Sequence, residues 1–206
     1  MSVQAAQAAR RLPGSFVVLI ALASLAVALP AGAQAPVSAE DTVPTMARRA
    51  VLHVEAVVAP EAVAGSLLAA GVAHVMREPA RWNRDAGGFG RRLASAVGVS
   101  AVNEGVQFAV GAWLGHDPRY RRRGRGGLLR RAGHAAVSTF VARDRHGRRV
   151  PAWLRLAGAY TAAAVSTSWY PESEGAGRYI ASRGALVLGS NIVSNLWAEF
   201  RPDILP

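Results

Sequence analysis

Three apolar stretches carry glycine, alanine or serine at every fourth position, and this spacing constrains the fold more than any other feature. Ala94 and Gly98, then Ala101, Gly105 and Ala109, recur within Arg91 to Leu114. Gly158, Ala162 and Ser166 do so within Ala152 to Trp169, and Ala181, Ala185 and Gly189, with Ser190, Ser194 and Ala198, within Gly177 to Phe200. Residues four apart share a helix face, and small ones there let another helix backbone approach closely. Each stretch carries only one to three charges. The chain is therefore predicted to be mainly α, a small-residue (Gly/Ala/Ser) helical bundle of four to five helices. Such stripes form equally well in lipid and in water.

Other segments fit around these. Met46 to Met76 is apolar and divided by Pro60, which is tolerated in a first helical turn but not in an interior. This predicts one helix near 46–58 and a second over 60–76. Ala56 to Met76 has nearly the length of a membrane span, although it carries Pro60, Glu61 and His74. Arg77 to Gly90 reads as a loop, because glycines 87, 88 and 90 break the periodicity. Gly115 is placed to stop the helix before it. Gly127 to Val141 reads as a further helix. A short β-hairpin is expected near 140–153, with Pro151 keeping one arm at an edge. Arg201-Pro202-Asp203 is expected to end the last helix.

The residues 1–33 read as a signal peptide: Arg10 and Arg11 ahead of an apolar run from Phe16 to Leu29, then Pro30 and the small residues Ala31-Gly32-Ala33. Cleavage after Ala33 avoids placing Pro36 first in the mature chain. Residues 34–45 read as a disordered linker, followed by a single helical envelope domain over 46–206.

The basic charge is concentrated. His116 to Arg149 holds eleven arginines and two aspartates, 11 − 2 = +9. The rest of the chain after Ala33 balances, with 11 arginines and 11 acids. Arg119, Arg121, Arg122, Arg123 and Arg125 are predicted to form an exposed anion-binding surface, because Pro118 and glycines 124, 126 and 127 keep them out of a helix. Arg130 and Arg131 extend it. An exported protein rarely meets nucleic acid, and only Tyr120 is available for base stacking, so nucleic acid is an unlikely partner. Anionic lipid or lipopolysaccharide headgroups are the expected ligands. A membrane or envelope protein partner is also compatible.

Composition removes several chemistries. The chain has no cysteine and no lysine; all 24 basic residues are arginine. This excludes disulfides, thiolate metal sites, a P-loop and a pyridoxal Schiff base. The five histidines show no metal-ligand spacing, so no metal and no cofactor are expected. Catalytic residues, if any, would be Glu104, His116, Asp117 and His134, serving proton transfer in an envelope enzyme that acts on an anionic lipid or glycan. The simpler reading is that Asp117 forms an Asx-turn and pairs with an arginine, and that Glu104 pairs with a buried arginine such as Arg155 or Arg183.

The motifs His116-Asp117-Pro118-Arg119-Tyr120, Ser168-Trp169-Tyr170-Pro171 and Glu199-Phe200-Arg201-Pro202-Asp203-Ile204, with Phe89-Gly90-Arg91-Arg92, resemble those of an uncharacterised family of exported bacterial proteins over about Gly88 to Ile204. The resemblance implies one exported domain and carries over no catalytic residue. The expectation is a non-enzymatic, membrane-associated envelope protein.

Overall fold

The computed structural model describes residues 44–171 and 175–204. The expected signal peptide and the part of the linker before Pro44 lie outside the described residues. The helices are α1 (Met46–Val58), α2 (Pro60–Val75), α3 (Ala86–Leu114), α4 (Leu128–Val137), α5 (Trp153–Ser166) and α6 (Ala176–Ile204). Strands β1 (Val141–Arg143) and β2 (Arg149–Pro151) pair antiparallel between α4 and α5, with Val141 opposite Pro151 and Arg143 opposite Arg149. The architecture is the helical bundle with one short hairpin that the sequence predicts.

Local signals explain most boundaries. The Thr45 side chain accepts a hydrogen bond from the Arg48 N–H and caps α1. Pro60 occupies the start of α2, so the two helices form one rod kinked at Ala59. Gly115 adopts φ 67°, the left-handed conformation that closes α3.

Two boundaries correct the sequence reading. Helix α3 begins at Ala86 rather than Arg91, because Asp85 accepts the Gly88 N–H at 2.7 Å and caps it. Glycines 87, 88 and 90 are thus helical, and Gly88 is there because a Cβ would collide with the Asn83 carbonyl. Helix α6 runs on through Pro202 to Ile204 instead of stopping before Arg201.

The rods lie along one axis. Arg49 reaches Gly111, His53 reaches Glu104, and His74 meets the Phe89 ring edge-to-face, so α1–α2 runs antiparallel to α3. On the other side, Leu154 meets Gly111 and Trp169 meets Gly98, so α5 also runs antiparallel to α3. Helix α6 returns along α5: Tyr179 hydrogen-bonds Ser166, and Gly184 lies against the Tyr160 ring. One end of the bundle holds the 76–85 turn and an aromatic cluster of Trp82, Tyr170 and Tyr179. The other end holds residues 115–152 and the last turn of α6.

The stripes on α3 and α6 face outward, contrary to the expectation that they form the helix seams. Ala101, Gly105 and Ala109 are exposed, as are Ala181, Ala185, Ser190, Ser194 and Ala198. Helix α3 instead buries Gly88, Arg92, Ser95, Asn103, Gln107 and Gly111. Its polar residues find partners inside: Arg92 donates to five carbonyl oxygens, those of Glu78, Pro79, Trp82, Asn83 and Gly88. Only the stripe on α5 packs as expected, with Gly158, Ala162 and Ser166 buried. The buried apolar residues are mostly alanines, whereas Val51, Val54, Val58, Val63, Leu67 and Val75 of the α1–α2 rod are exposed.

Candidate anion-binding site

The arginine-rich end is built on two buried carboxylates. Asp117 follows Gly115 and the buried His116 at the end of α3. Its N–H donates to the Arg143 carbonyl at 2.8 Å, joining this segment to the hairpin. Its carboxylate accepts from the Arg119 N–H (3.1 Å), from Arg119 Nε (3.0 Å) and Nη2 (3.1 Å), and from Arg121 Nη2 (3.2 Å). Burial pushes this carboxyl up, but the Arg119 and Arg121 interactions outweigh it and hold it below the ordinary aspartate value.

The second is Glu199, fully buried on α6. Tyr120 Oη donates to one carboxylate oxygen at 2.7 Å, and the Arg123 N–H donates to the same oxygen at 2.8 Å. The Gly124 N–H and Arg131 Nε each donate to the other at 2.9 Å. Burial alone would raise the Glu199 carboxyl, yet the bonds from Tyr120, Arg123, Arg131 and Gly124 hold it down at about 2. The Glu199 backbone carbonyl accepts from Arg122 Nε and Arg131 Nη2, and Asp203, one turn on, pairs with both arginines. Arg131 also stacks on the Phe200 ring at 4.4 Å.

These contacts divide the arginines that the sequence groups together. Arg119, Arg121, Arg122 and Arg131 are half-buried and tied to Asp117, Glu199 or Asp203, so the expectation of a wholly exposed run over 119–125 is corrected. A segment carrying +9 folds down wherever carboxylates meet it. Arg123, Arg125 and Arg130 remain exposed, and so do Arg145, Arg148 and Arg149 of the hairpin. The Arg123 and Arg125 region is linked within itself by Arg123 Nε donating to the Arg125 carbonyl.

Of the candidate proton-transfer residues, Glu104 is kept apart from the others. Glu104 lies mid-bundle, where it pairs with His53 Nδ1 at 2.7 Å and accepts from Asn103 and Gln107. The expected arginine partner is therefore replaced by a histidine. Arg155 is instead held by the carbonyls of Ser138 and Pro118, and Arg183 stacks on Tyr170 at the far end. His116 is buried, and burial first, with Arg155 and Arg49 nearby, pushes its imidazole below the ordinary value against the opposing pull of Asp144. His134 Nε2 sits 2.9 Å from the Arg121 carbonyl. Asp117 and His134 do meet, at a cavity of about 60 Å³ between the 117–121 strap, α4 and the hairpin.

Sequence reasoning missed Glu199, Asp203 and His53. The available signal was charge balance: an eleven-arginine segment needs internal carboxylates, and Glu199 and Asp203 are spaced four apart on the last helix. No family model matches this chain, and searches of curated proteins and of solved structures find no match.

Proposed function

We propose that this is a non-enzymatic, exported cell-envelope protein, held in a membrane by apolar helices, whose outer arginines Arg123, Arg125 and Arg130 engage anionic lipid or lipopolysaccharide headgroups. The observation that carries the reading is the inverted partition of α3, whose buried residues include Arg92, Ser95, Asn103 and Gln107 and no large apolar side chain. A helix facing water keeps its polar residues outside; one facing lipid turns them into the bundle. Two helical stretches, Met46–Val75 and Ala86–Leu114, are long and apolar enough to cross a membrane, with 6% and 17% of their most apolar windows buried. From Arg92 to Trp113 the rise is about 31 Å, close to the ~30 Å hydrocarbon thickness.

The arginine-rich end has the matching surface. Trp113, 84% exposed, Trp153, Leu128 and Leu129 are all exposed, and in the chain the two leucines lie between Arg125 and Arg130. Tryptophan suits the membrane–water boundary, and leucine beside arginine suits an interfacial helix start. Each arginine near an anionic surface contributes ~1 kcal/mol, screened over ~8 Å at physiological salt. Arg10-Arg11, the Phe16–Leu29 run and Ala31–Ala33 support export. The enzyme alternative draws less support, because Glu104 is paired with His53 away from His116, Asp117 and His134.

Fractionation with a carbonate wash tests the membrane part: the protein should stay in the membrane pellet, and release into the supernatant would reject embedding. For the headgroup part, the protein is placed in nanodiscs of anionic or neutral lipid and the release of tryptic peptides cut after Arg123, Arg125 and Arg130 is timed. Cutting should be slower in anionic discs at low salt, and equal rates in both lipids would reject headgroup contact.

A further inference from the structure

We infer that the cavity between the 117–121 strap, α4 and the hairpin is a binding site for a phosphate group, distinct from the outer arginine surface. Its lining includes Arg119, Arg121, Arg143, Arg149 and Arg155 against a single carboxylate, Asp117, an imbalance of 5 − 1 = +4. Both Asp117 oxygens are already engaged by Arg119 and Arg121. Asp144, the nearest acid on the hairpin, is used by the turn N–H groups of His146 and Arg148 and by the Arg148 side chain.

Two features of this lining lack a counterpart within the protein. Arg143 and Arg149 are directly opposite across the two strands, so their side chains leave the same face. Like charges in that position repel unless an anion lies between them. Arg143 reaches the Gly147 carbonyl at 2.7 Å, whereas the Arg149 guanidinium makes no hydrogen bond or ion pair among the described residues. In addition, Arg121 Nε is buried without an acceptor. A buried donor without a partner is costly, and a small turn of the Arg121 side chain into the cavity would let an incoming oxyanion supply one.

The geometry favours phosphate over carboxylate. The donors arrive from two different segments, Arg121 from the strap and Arg143 and Arg149 from the hairpin. A carboxylate presents two coplanar oxygens, which one arginine can satisfy by itself. A phosphate presents oxygens in several directions and up to two negative charges, matching donors that converge from separate segments. The group could arrive as free phosphate or on a phosphorylated lipid headgroup.

The test uses the full chain in a nonionic detergent, with inorganic phosphate as the probe and chloride at matched ionic strength as the reference. Phosphate should raise the melting temperature saturably, and calorimetry should give a defined stoichiometry. Arg149→Gln should fold as wild type, since that side chain is exposed and unpaired, and should weaken phosphate binding about tenfold. Arg143→Gln should do the same, while Arg84→Gln, exposed in the 76–85 turn at the opposite end of the bundle, should leave phosphate binding unchanged. No saturable response in wild type, or an equal response in Arg149→Gln, would overturn the inference. Mixed micelles containing phosphatidic acid separate the sources. Competition between phosphatidic acid and phosphate, lost in Arg149→Gln, assigns the site to a lipid headgroup; phosphate binding without competition assigns it to the free ion. Neither readout depends on the carbonate wash or on tryptic cutting at Arg123 to Arg130, so this inference and the proposed function can fail separately.

Discussion

Replacing Glu199 with glutamine should release the arginine-rich end from the bundle. The substitution keeps the shape and removes the charge. One oxygen accepts from Tyr120 Oη and the Arg123 N–H, the other from the Gly124 N–H and Arg131 Nε. Whichever oxygen becomes an amide nitrogen, at least one buried backbone N–H then faces another donor, and Arg131 keeps only Asp203 as a carboxylate partner. Hydrogen bonds to a charged group contribute ~1.5–3 kcal/mol each, and breaking a buried pair costs ~3–5 kcal/mol. The carboxyl gives a second measure. Its value falls from 4.5 to about 2 on folding, which at ~1.4 kcal/mol per tenfold change corresponds to about 3 kcal/mol. Both routes predict a loss of about 3 kcal/mol at neutral pH. Because the folded value is depressed, this stabilisation is complete above 4.5 and disappears as pH falls towards 2. Denaturant unfolding followed by circular dichroism should show the loss at pH 7 and a shallower decline in acid for Glu199→Gln. Tryptic cutting after Arg122 and Arg123 should speed up. A variant within ~0.5 kcal/mol of wild type, with the same acid sensitivity, would refute the argument that Glu199 anchors this end.

Three further outcomes are expected. Arg131→Gln should lower the melting temperature, though less than Glu199→Gln, because Glu199 keeps Tyr120 and the Arg123 and Gly124 N–H groups as donors, whereas Arg123, Arg125 and Arg130 changed together to glutamine should leave the melting curve almost unchanged. Gly158→Ala should cost ~1–3 kcal/mol in a thermal melt, since its Cβ would lie 2.7 Å from Asn103 Oδ1 and 2.8 Å from the Asn103 carbonyl. The nearest atoms to a Cβ at Gly184 belong to the Tyr160 ring, which is exposed enough to swing aside, so Gly184→Ala should cost less. Burial makes the His116 imidazole harder to protonate in the folded state than in the unfolded chain, so its contribution is present above 6.5 and is lost as pH falls below it. Stability measured between pH 7 and 5 should therefore fall less steeply in His116→Gln.

Features encoded by neighbouring residues were legible in the sequence. Pro60 marks the α1–α2 kink, Gly115 the end of α3, and the charged turn before Val150-Pro151 the hairpin, because each is decided within a few residues. The start of α3 was not legible: glycines 87, 88 and 90 look like breakers, and only the approach of the Asn83 carbonyl reveals why Gly88 is needed. The orientation of the stripes failed for a related reason. Spacing reports that Ala101, Gly105 and Ala109 share a face but not which face the bundle uses, and here Asn103 and Gln107 take the inner one. The arginine-rich end was legible as charge and illegible as structure. Arginine count located it, but its division into inner and outer sets depends on a carboxylate on the last helix, at a distance in sequence that local patterns do not reach.

That distance sets an order of events during synthesis. The groups that donate to the Glu199 carboxylate precede it by 68 to 79 residues. At ~5–20 residues per second, Tyr120 and Arg131 are synthesised several seconds before their acceptor. Throughout that interval the arginine segment repels itself with only Asp117 and Asp144 to moderate it. Helix α6 therefore acts as a late latch: the shape of the arginine-rich end is withheld until it docks, and a nascent chain with α6 undocked presents its arginines in an arrangement different from that of the finished protein.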